Sequence, residues 1–466
     1  MINNKAFERK LRFWLGVGVL YFRKHWLRSL SIVITILAIF FFGSKIAPNF
    51  QPQEVYSEGI IGNFSQDNLP SRVTTFLSEG LTKVAKDGST QPALSESWQI
   101  KESGRIYLFS LKDNLLWQDN TKVKSSDMGI KIDNVEISYP NDKTLQFKLK
   151  DQYSPFPSVV SKPIFKKDTL VGTDQYRIDK IEKSGQTVKM VKLATENKKY
   201  PQLIFRFYPT FAQAVAAFKM GGVKAISNLS QTNSLSEWPN TKVIKEVDYS
   251  HLVALFFNTK DSKFSAKEAR QALAYAIDKN GLKGEVAFSP IAPSSWAYNP
   301  EARHYDYDLK KANSLLEKAQ VKKEEKIIFS VLPAYQELGE KILKNWKALG
   351  LNLEMKIENT IPDDFQILLA GQEIPSDPDQ YSLWHSTQTG NITKFQSAKI
   401  DKLLEDSRKI EDQKQRKEKY LEFQKVLSEE VPAVFLYYPH NYFIFSKKAE
   451  DKIEILEKLE NNFTSL

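Results

Sequence analysis

Residues 252–279 read LVALFFNTKDSKFSAKEARQALAYAIDK. Leu252 to Phe257 is an unbroken apolar run, too short for a helix and right for a strand. Ser265 and Glu268 have the spacing of a capping box, and Ala269, Leu273, Ala276 and Ile277 then recur on one helical face until Gly281. An apolar strand followed by an amphipathic helix is an α/β unit.

The pattern continues downstream. Asp308 caps a helix carrying Leu309, Ala312, Leu315, Leu316 and Ala319. Ile327–Leu332 is a strand, Tyr335–Leu349 a helix with Leu338, Ile342 and Trp346 on one side, and Leu351–Ile357 an alternating strand. Helices are expected over 398–410 and 412–430, then strands Val434–Tyr438 and Tyr442–Phe445. Upstream, Ile106–Leu111, Leu145–Leu149 and Leu203–Tyr208 read as strands. A helix at Thr210–Met220 is stopped by Gly221-Gly222. Helices concentrate after residue 260, and the mixed order implies two α/β lobes.

Length and composition agree. A chain of 466 residues exceeds one compact core, and 26% charged with 41% hydrophobic residues is ordinary globular composition. The net charge of +10 is uneven. Residues 1–48 hold eight basic residues and one acid, Glu8, which leaves +3 for the other 418. A nucleic-acid footprint is therefore not needed. Without cysteine there is no disulfide, thiolate metal site, cysteine nucleophile or lipidated cysteine anchor.

Basic residues cluster before the candidate membrane span, Leu27–Ala47, with Arg28 and Lys45 near its ends. It is apolar from Leu30 to Phe42 apart from Ser31 and Thr35, and about 20 residues suffice to cross. Basic residues before it place 1–26 in the cytoplasm as a basic leader and the rest outside. A cleaved signal peptide is the alternative, but Gly43-Ser44-Lys45-Ile46-Ala47-Pro48 is a poor cleavage site. Phe13–Phe22 is too short to span and fits a helix lying on the inner leaflet or simply an apolar leader. Residues 48–56, rich in Pro and Gln, form a tether.

Catalytic patterns are missing. The sequence has no Gly-rich phosphate loop, no His-Glu-x-x-His and no Gly-x-Ser-x-Gly. The five histidines, at 25, 251, 304, 385 and 440, have no ligand spacing, and surface or groove roles outweigh a metal site built from His251, His385 and His440. Asp377 and Asp379 flank Pro378, which reads as a turn rather than an acid–base pair. Neither cofactor nor catalytic residue is expected. Several aromatic residues sit in loop-like contexts: Trp296 and Tyr298 between Pro293 and Pro300, Trp384 beside His385, and Tyr438 before Pro439. Aromatic walls with a few polar groups suit a ligand cleft, while packing in the core is the plainer role for each.

Several stretches in order resemble the family 5 extracellular solute-binding proteins, the oligopeptide, dipeptide and nickel-binding group of ABC transporters. They are Glu79-Gly80-Leu81, Asp87-Gly88, Pro92 to Trp98, Tyr107 to Asn114, Trp117 to Asn120 and Ser126-Asp127. Then come Val171 to Tyr176, Phe257-Asn258-Thr259, Arg270 to Lys279, Tyr307-Asp308, Asp377-Pro378-Asp379, Asn391, Ile400 to Leu404, Arg416 and Val431 to Tyr438. Three departures stand out. The stretch between Asp127 and Val171 is short, so the accessory domain of the first lobe looks reduced or lost. Asp174-Gln175 replaces Gly-Pro in the Gly-Thr-Gly-Pro-Tyr turn. The acid that holds a peptide's amino terminus falls at Ile374, with Glu373 adjacent.

The resemblance implies a two-lobed α/β periplasmic-binding-type fold (type II, peptide-binding class), and the apolar run Leu27–Ala47 places one transmembrane helix before it. Lobe I would take 57–250 and 436–466, and lobe II 251–435. The expected function is that of a bacterial, single-pass membrane-anchored receptor on the extracytoplasmic side. It would capture peptides between the lobes and deliver them to the permease of an ABC importer. A non-transport peptide-binding chaperone or sensor, or a receptor for another solute such as a metal chelate, are the alternatives. Cleft logic with the resemblance selects Trp384, Trp296, Tyr298 and Tyr438 as aromatic walls, Asn258, Asn391 and Glu373 as polar contacts, and Phe64 after Ile60-Ile61 as a cleft-facing ring.

Overall fold

The computed structural model describes residues 4–27, 30, 31, 34, 35, 37 and 53–463. It divides into two units, Met1–Glu54 and Val55–Leu466. The first contains helix α1, Asn4–Lys24, with Arg23 and Lys24 in its last turn. A bend at His25 follows, and helical residues resume at Trp26. Among the described residues no helix is long and apolar enough to cross a membrane. The expected span, Leu27–Ala47, lies largely outside them.

The second unit opens with β1 (Val55–Ile61), so strand pairing begins inside the expected tether. A small hairpin follows, β2 (Thr82–Val84) with β3 (Thr90–Pro92). Strands β4 (Ser95–Lys101), β5 (Ile106–Leu111), β6 (Val135–Asn141) and β7 (Thr144–Leu149) form an antiparallel sheet in the order β4-β5-β7-β6. Alternation in β5 buries Tyr107, Phe109 and Leu111 against Leu145, Phe147 and Phe156. The short Asp127–Val171 stretch thus keeps a four-stranded layer with its own core.

The large sheet continues with β8 (Arg177–Ser184), β9 (Thr187–Ala194), β10 (Gln202–Tyr208), β11 (Ala225–Leu229) and β12 (Thr241–Val247). β1 lies parallel to both β10 and β11. The helix between them, Phe211–Lys219, starts where Thr210 accepts from the Gln213 N–H at 3.4 Å. The other half of the sheet holds β13 (His251–Phe257), β14 (Gly284–Val286), β15 (Ile327–Val331), β16 (Leu353–Ile357) and β17 (Ile367–Glu373). β15 is parallel to β16 and β17, and β13 is antiparallel to β17.

β13 is why the apolar run 252–257 is unbroken. Val253, Leu255 and Phe257 enter one core, and Leu252, Ala254 and Phe256 enter another on the opposite face. The helix after it runs only from Lys267 to Tyr275, without a side-chain cap. Ser265 Oγ instead donates to the Ser262 carbonyl at 3.1 Å, closing a loop turn. Asp308 does cap, accepting from the Lys311 N–H at 3.0 Å.

β18 (Ala433–Ser446) joins the two halves. The two expected strands at 434–438 and 442–445 are one 14-residue strand. Its first part pairs with β13, from Phe256 against Ala433 to Val253 against Tyr437. Its last part pairs with β11, Ala225 against Phe445, and with β12, Val247 against His440. Pro439 cannot donate to the ladder, yet its carbonyl accepts from the Asp248 N–H at 2.8 Å. Gly284 lies opposite Pro439, where a Cβ would collide with the Tyr438 carbonyl.

Candidate solute-binding cleft

The register of β18 fixes which strand ends face each other. In the first half, β11 and β1 run toward the middle of β18, so their carboxyl ends, Leu229 and Ile61, point at the second half. In the second half, β17 runs antiparallel to β13 and ends at Glu373 beside His251, pointing back. Carboxyl ends of parallel strands are where α/β sheets bind ligands, because the chain departs there into loops and leaves a crevice. Two such edges confront each other here.

Among the described residues the chain passes between the halves twice, at Asp248–Ser250 and through the middle of β18, and the two passages are hydrogen-bonded neighbours. Asp248 organises the first, accepting from the Ser250 N–H at 3.0 Å and contacting His251 Nδ1 at 2.8 Å. Tyr249 lies beside it, its hydroxyl donating to Glu285 Oε1 at 3.0 Å and its ring 5.2 Å from Tyr438.

Away from these passages, loops of the halves touch. The β2–β3 turn reaches Trp296, whose backbone N–H donates to the Asp87 carbonyl at 2.8 Å. Asp87 holds that turn by accepting from the Ser89 N–H at 2.9 Å. Ser154 N–H donates to the Arg408 carbonyl at 2.7 Å and its hydroxyl to the Ser407 carbonyl at 3.0 Å. The Tyr153 hydroxyl reaches Asp379 Oδ2 at 3.3 Å. Arg408 pairs with Asp379 at 2.7 Å and stacks over the Tyr381 ring at 3.9 Å. Arg416 pairs with Asp377 at 2.8 Å and hydrogen-bonds the Tyr420 hydroxyl at 3.0 Å. Burial pushes the Asp377 carboxyl up and Arg416 pulls it back. The region between the halves is thus bounded by the passages on one side and these contacts on the other.

The eight residues selected from sequence fall in different places. Phe64 follows the carboxyl end of β1, with its ring 5.0 Å from Phe207. Glu373 ends β17, and its side chain is 90% exposed with His251 Nε2 at 4.0 Å. The Trp296 backbone meets Asp87 across the halves, Tyr298 lies near Glu285 and Tyr438, and the buried Tyr438 faces the Tyr249 ring. Tyr438 is itself fully buried and donates to the Ser289 carbonyl at 2.9 Å.

The other three sit elsewhere. Trp384 is buried in a core with Phe435, ring centroids 5.9 Å apart, so it forms no exposed wall. Asn391 staples its own loop, donating to the Phe395 carbonyl at 2.8 Å and accepting from Thr393 Oγ1 at 2.7 Å. Asn258 follows the far end of β13, about 20 Å along the strand from His251. It donates to Asp364 there at 3.1 Å.

Sequence reading missed Tyr153, Arg408, Tyr249 and Glu285, whose partners are distant in sequence and leave no local signal. Asp87-Gly88 had a turn signal but no sign of what the turn touches. The histidines do not converge, and among the described residues no group of three or more His, Cys, Asp or Glu could hold a metal.

A second acidic pair lies in the first half. Burial, then the neighbouring Glu79, push the Asp174 carboxyl up to about 8, and Asp174 Oδ2 is buried without a hydrogen-bond partner. Burial also raises Glu79, partly offset by Lys112. Asp174 stands where the resembled turn has glycine.

Residues 124–394 match the family described as bacterial extracellular solute-binding proteins, family 5 middle. The oligopeptide-binding protein AppA of Bacillus subtilis (strain 168) is 23% identical over 465 residues, covering 83% of this chain and 85% of that protein. The crystal structure of NikZ from Campylobacter jejuni in complex with Ni(L-His) superposes with a TM-score of 0.68 at 22% identity, over 85% of this chain and 95% of that one. The structure of B. subtilis AppA in complex with a nonapeptide superposes with a TM-score of 0.63 at 20% identity, over the same shares. The chain belongs to the family 5 bacterial extracellular solute-binding proteins, the binding components of ABC importers, and is not an enzyme.

Proposed function

We propose that the chain is a membrane-anchored receptor that captures peptides between two lobes, 57–250 with 436–466 and 251–435, and passes them to an ABC permease. The observation that carries this is the pair of facing carboxyl edges joined by two adjacent passages. Such a connection lets two bodies hinge about one line while their far loops part and meet. Phe64, Trp296, Tyr298 and Glu373 are the surviving candidates for solute contact, with Tyr249 and Glu285 added. Trp384, Asn391, Asn258 and Tyr438 serve the scaffold. A span at 27–47 would tether the receptor and raise its effective concentration near its permease.

A second reading, a metal chelate, is favoured by one position. Ile374 stands where the resembled peptide receptors carry the amine-holding acid, and it packs against the apolar core of the second half. The similar NikZ was solved with a nickel–histidine complex.

The test exploits the lack of cysteine. Nitroxide labels at Asn68→Cys and Asn359→Cys report the distance between the two edges. Synthetic tri- to pentapeptides are expected to shorten it. Shortening by nickel–histidine alone selects the second reading, and no change with either refutes capture by closure.

A further inference from the structure

α1 plays no part in the cleft, and its side chains are poorly suited to water. Phe13, Trp14, Leu15, Val17, Val19 and Leu20 are 40 to 69% exposed. Soluble surfaces rarely gather so many apolar side chains unless a partner covers them. The apolar stretch Phe13–Phe22 is about 15 Å long as a helix, half a bilayer core. Exposed Lys10 and Arg12 precede it, and exposed Arg23 and Lys24 follow. A helix crossing the core would have to bury one of these charged ends.

An in-plane position on a lipid surface needs neither. Arg12 and Arg23, eleven residues apart, share one helical face, with Gly16 beside them and Trp14 nearly opposite. Nothing lies within 4 Å of a Cβ added at Gly16. The apolar body can sink into the headgroup boundary with Arg12 and Arg23 facing the phosphates, while Lys10 and Lys24, at the helix ends on the Trp14 side, snorkel back to them. Glu8 is the sole acid among residues 1–48, so the charge complements an anionic lipid. The bend at His25 separates α1 from the helical residues after it, as a segment turning from the surface toward a span requires.

We infer that α1 lies in the plane of an anionic phospholipid surface, Trp14 side down, held by its terminal basic residues. The inference does not rest on residues 27–47 spanning the membrane.

Nitroxides on single-cysteine variants of the full chain test it in vesicles rich in phosphatidylglycerol and in pure phosphatidylcholine vesicles. With phosphatidylglycerol, labels at Trp14→Cys and Val17→Cys are expected to become oxygen-accessible and chelate-protected, while Gly16→Cys stays open to aqueous nickel chelate. Replacing Arg12 and Arg23 by Gln should lower the surface-bound fraction's equilibrium constant about fivefold per charge. Equal aqueous access at all three positions, uniform deep burial, or indifference to anionic lipid would each overturn the inference. Should 27–47 not span, alkaline carbonate would release the chain while the label pattern in vesicles persisted, so the two ideas fail separately.

Discussion

Asp377 and Asp379 in one half, and Glu79 and Asp174 in the other, are two acidic pairs in largely dry surroundings with opposite neighbours. Arg416 and Arg408 satisfy the first pair at 2.8 and 2.7 Å, and through Tyr153 the second of these acids reaches across the halves. Asp174 Oδ2 has no hydrogen-bond partner, and only lysines at the margin offset the burial of Glu79. Burial alone therefore does not decide what a carboxylate does. With a guanidinium it becomes a rigid joint, and without one, as at Asp174, burial pushes its pKa up.

The largest effect should come from breaking the satisfied pair. Arg416→Ala leaves Asp377 buried and unpaired and should cost about 3–5 kcal/mol in chemical denaturation. If Arg416→Ala and Asp377→Asn/Arg416→Ala lose equal stability, the contrast between the pairs is wrong. Trp384→Ala should cost a similar 3–5 kcal/mol by opening a cavity, with solute affinity unchanged in the folded fraction.

The unsatisfied pair should respond in the opposite sense. Because the Asp174 carboxyl is raised from 3.8 to about 8, the fold keeps a proton that the unfolded chain releases between those values. Its contribution to stability is thus lost as pH rises through that window, by up to about 1.4 kcal/mol per unit. Asp174→Asn should gain about 1–3 kcal/mol at pH 8 and almost nothing at pH 4, read as melting temperature against pH. A pH-independent gain would mean packing, not charge. Smallest is Tyr153→Phe, which removes one hydrogen bond between the halves. It should weaken solute binding by about 0.5–1.5 kcal/mol through easier opening, measurable by titration calorimetry.

The α/β class was legible in the sequence because β13 and its following helix advertise their burial locally. Apolar runs mark strands covered on both faces, and Thr210 and Asp308 announce helix starts. Ser265 misled because the same hydroxyl can close a turn as readily as cap a helix. β18 was split in two because Pro439, His440 and Asn441 look like a turn, and only pairing with β12 and β14 keeps them extended. The cleft was harder to read. Aromatic residues in Pro-rich loops pointed to Trp296 and Tyr298 but also to Trp384, which is core. An indole's burial depends on what packs over it, and Phe435 is 51 residues away. Arg408 and Tyr153 bear no local mark, since they matter only through partners in the other half.

The central claim is that a solute binds between the halves and stabilises the closed form. The most direct measurement is a thermal-shift screen of the full chain against short peptides, free amino acids and nickel–histidine. A ligand of the folded state raises the melting temperature by mass action. A dose-dependent rise with at least one peptide, reduced by Trp296→Ala, is expected. Silence across peptides, amino acids and chelate alike would contradict it.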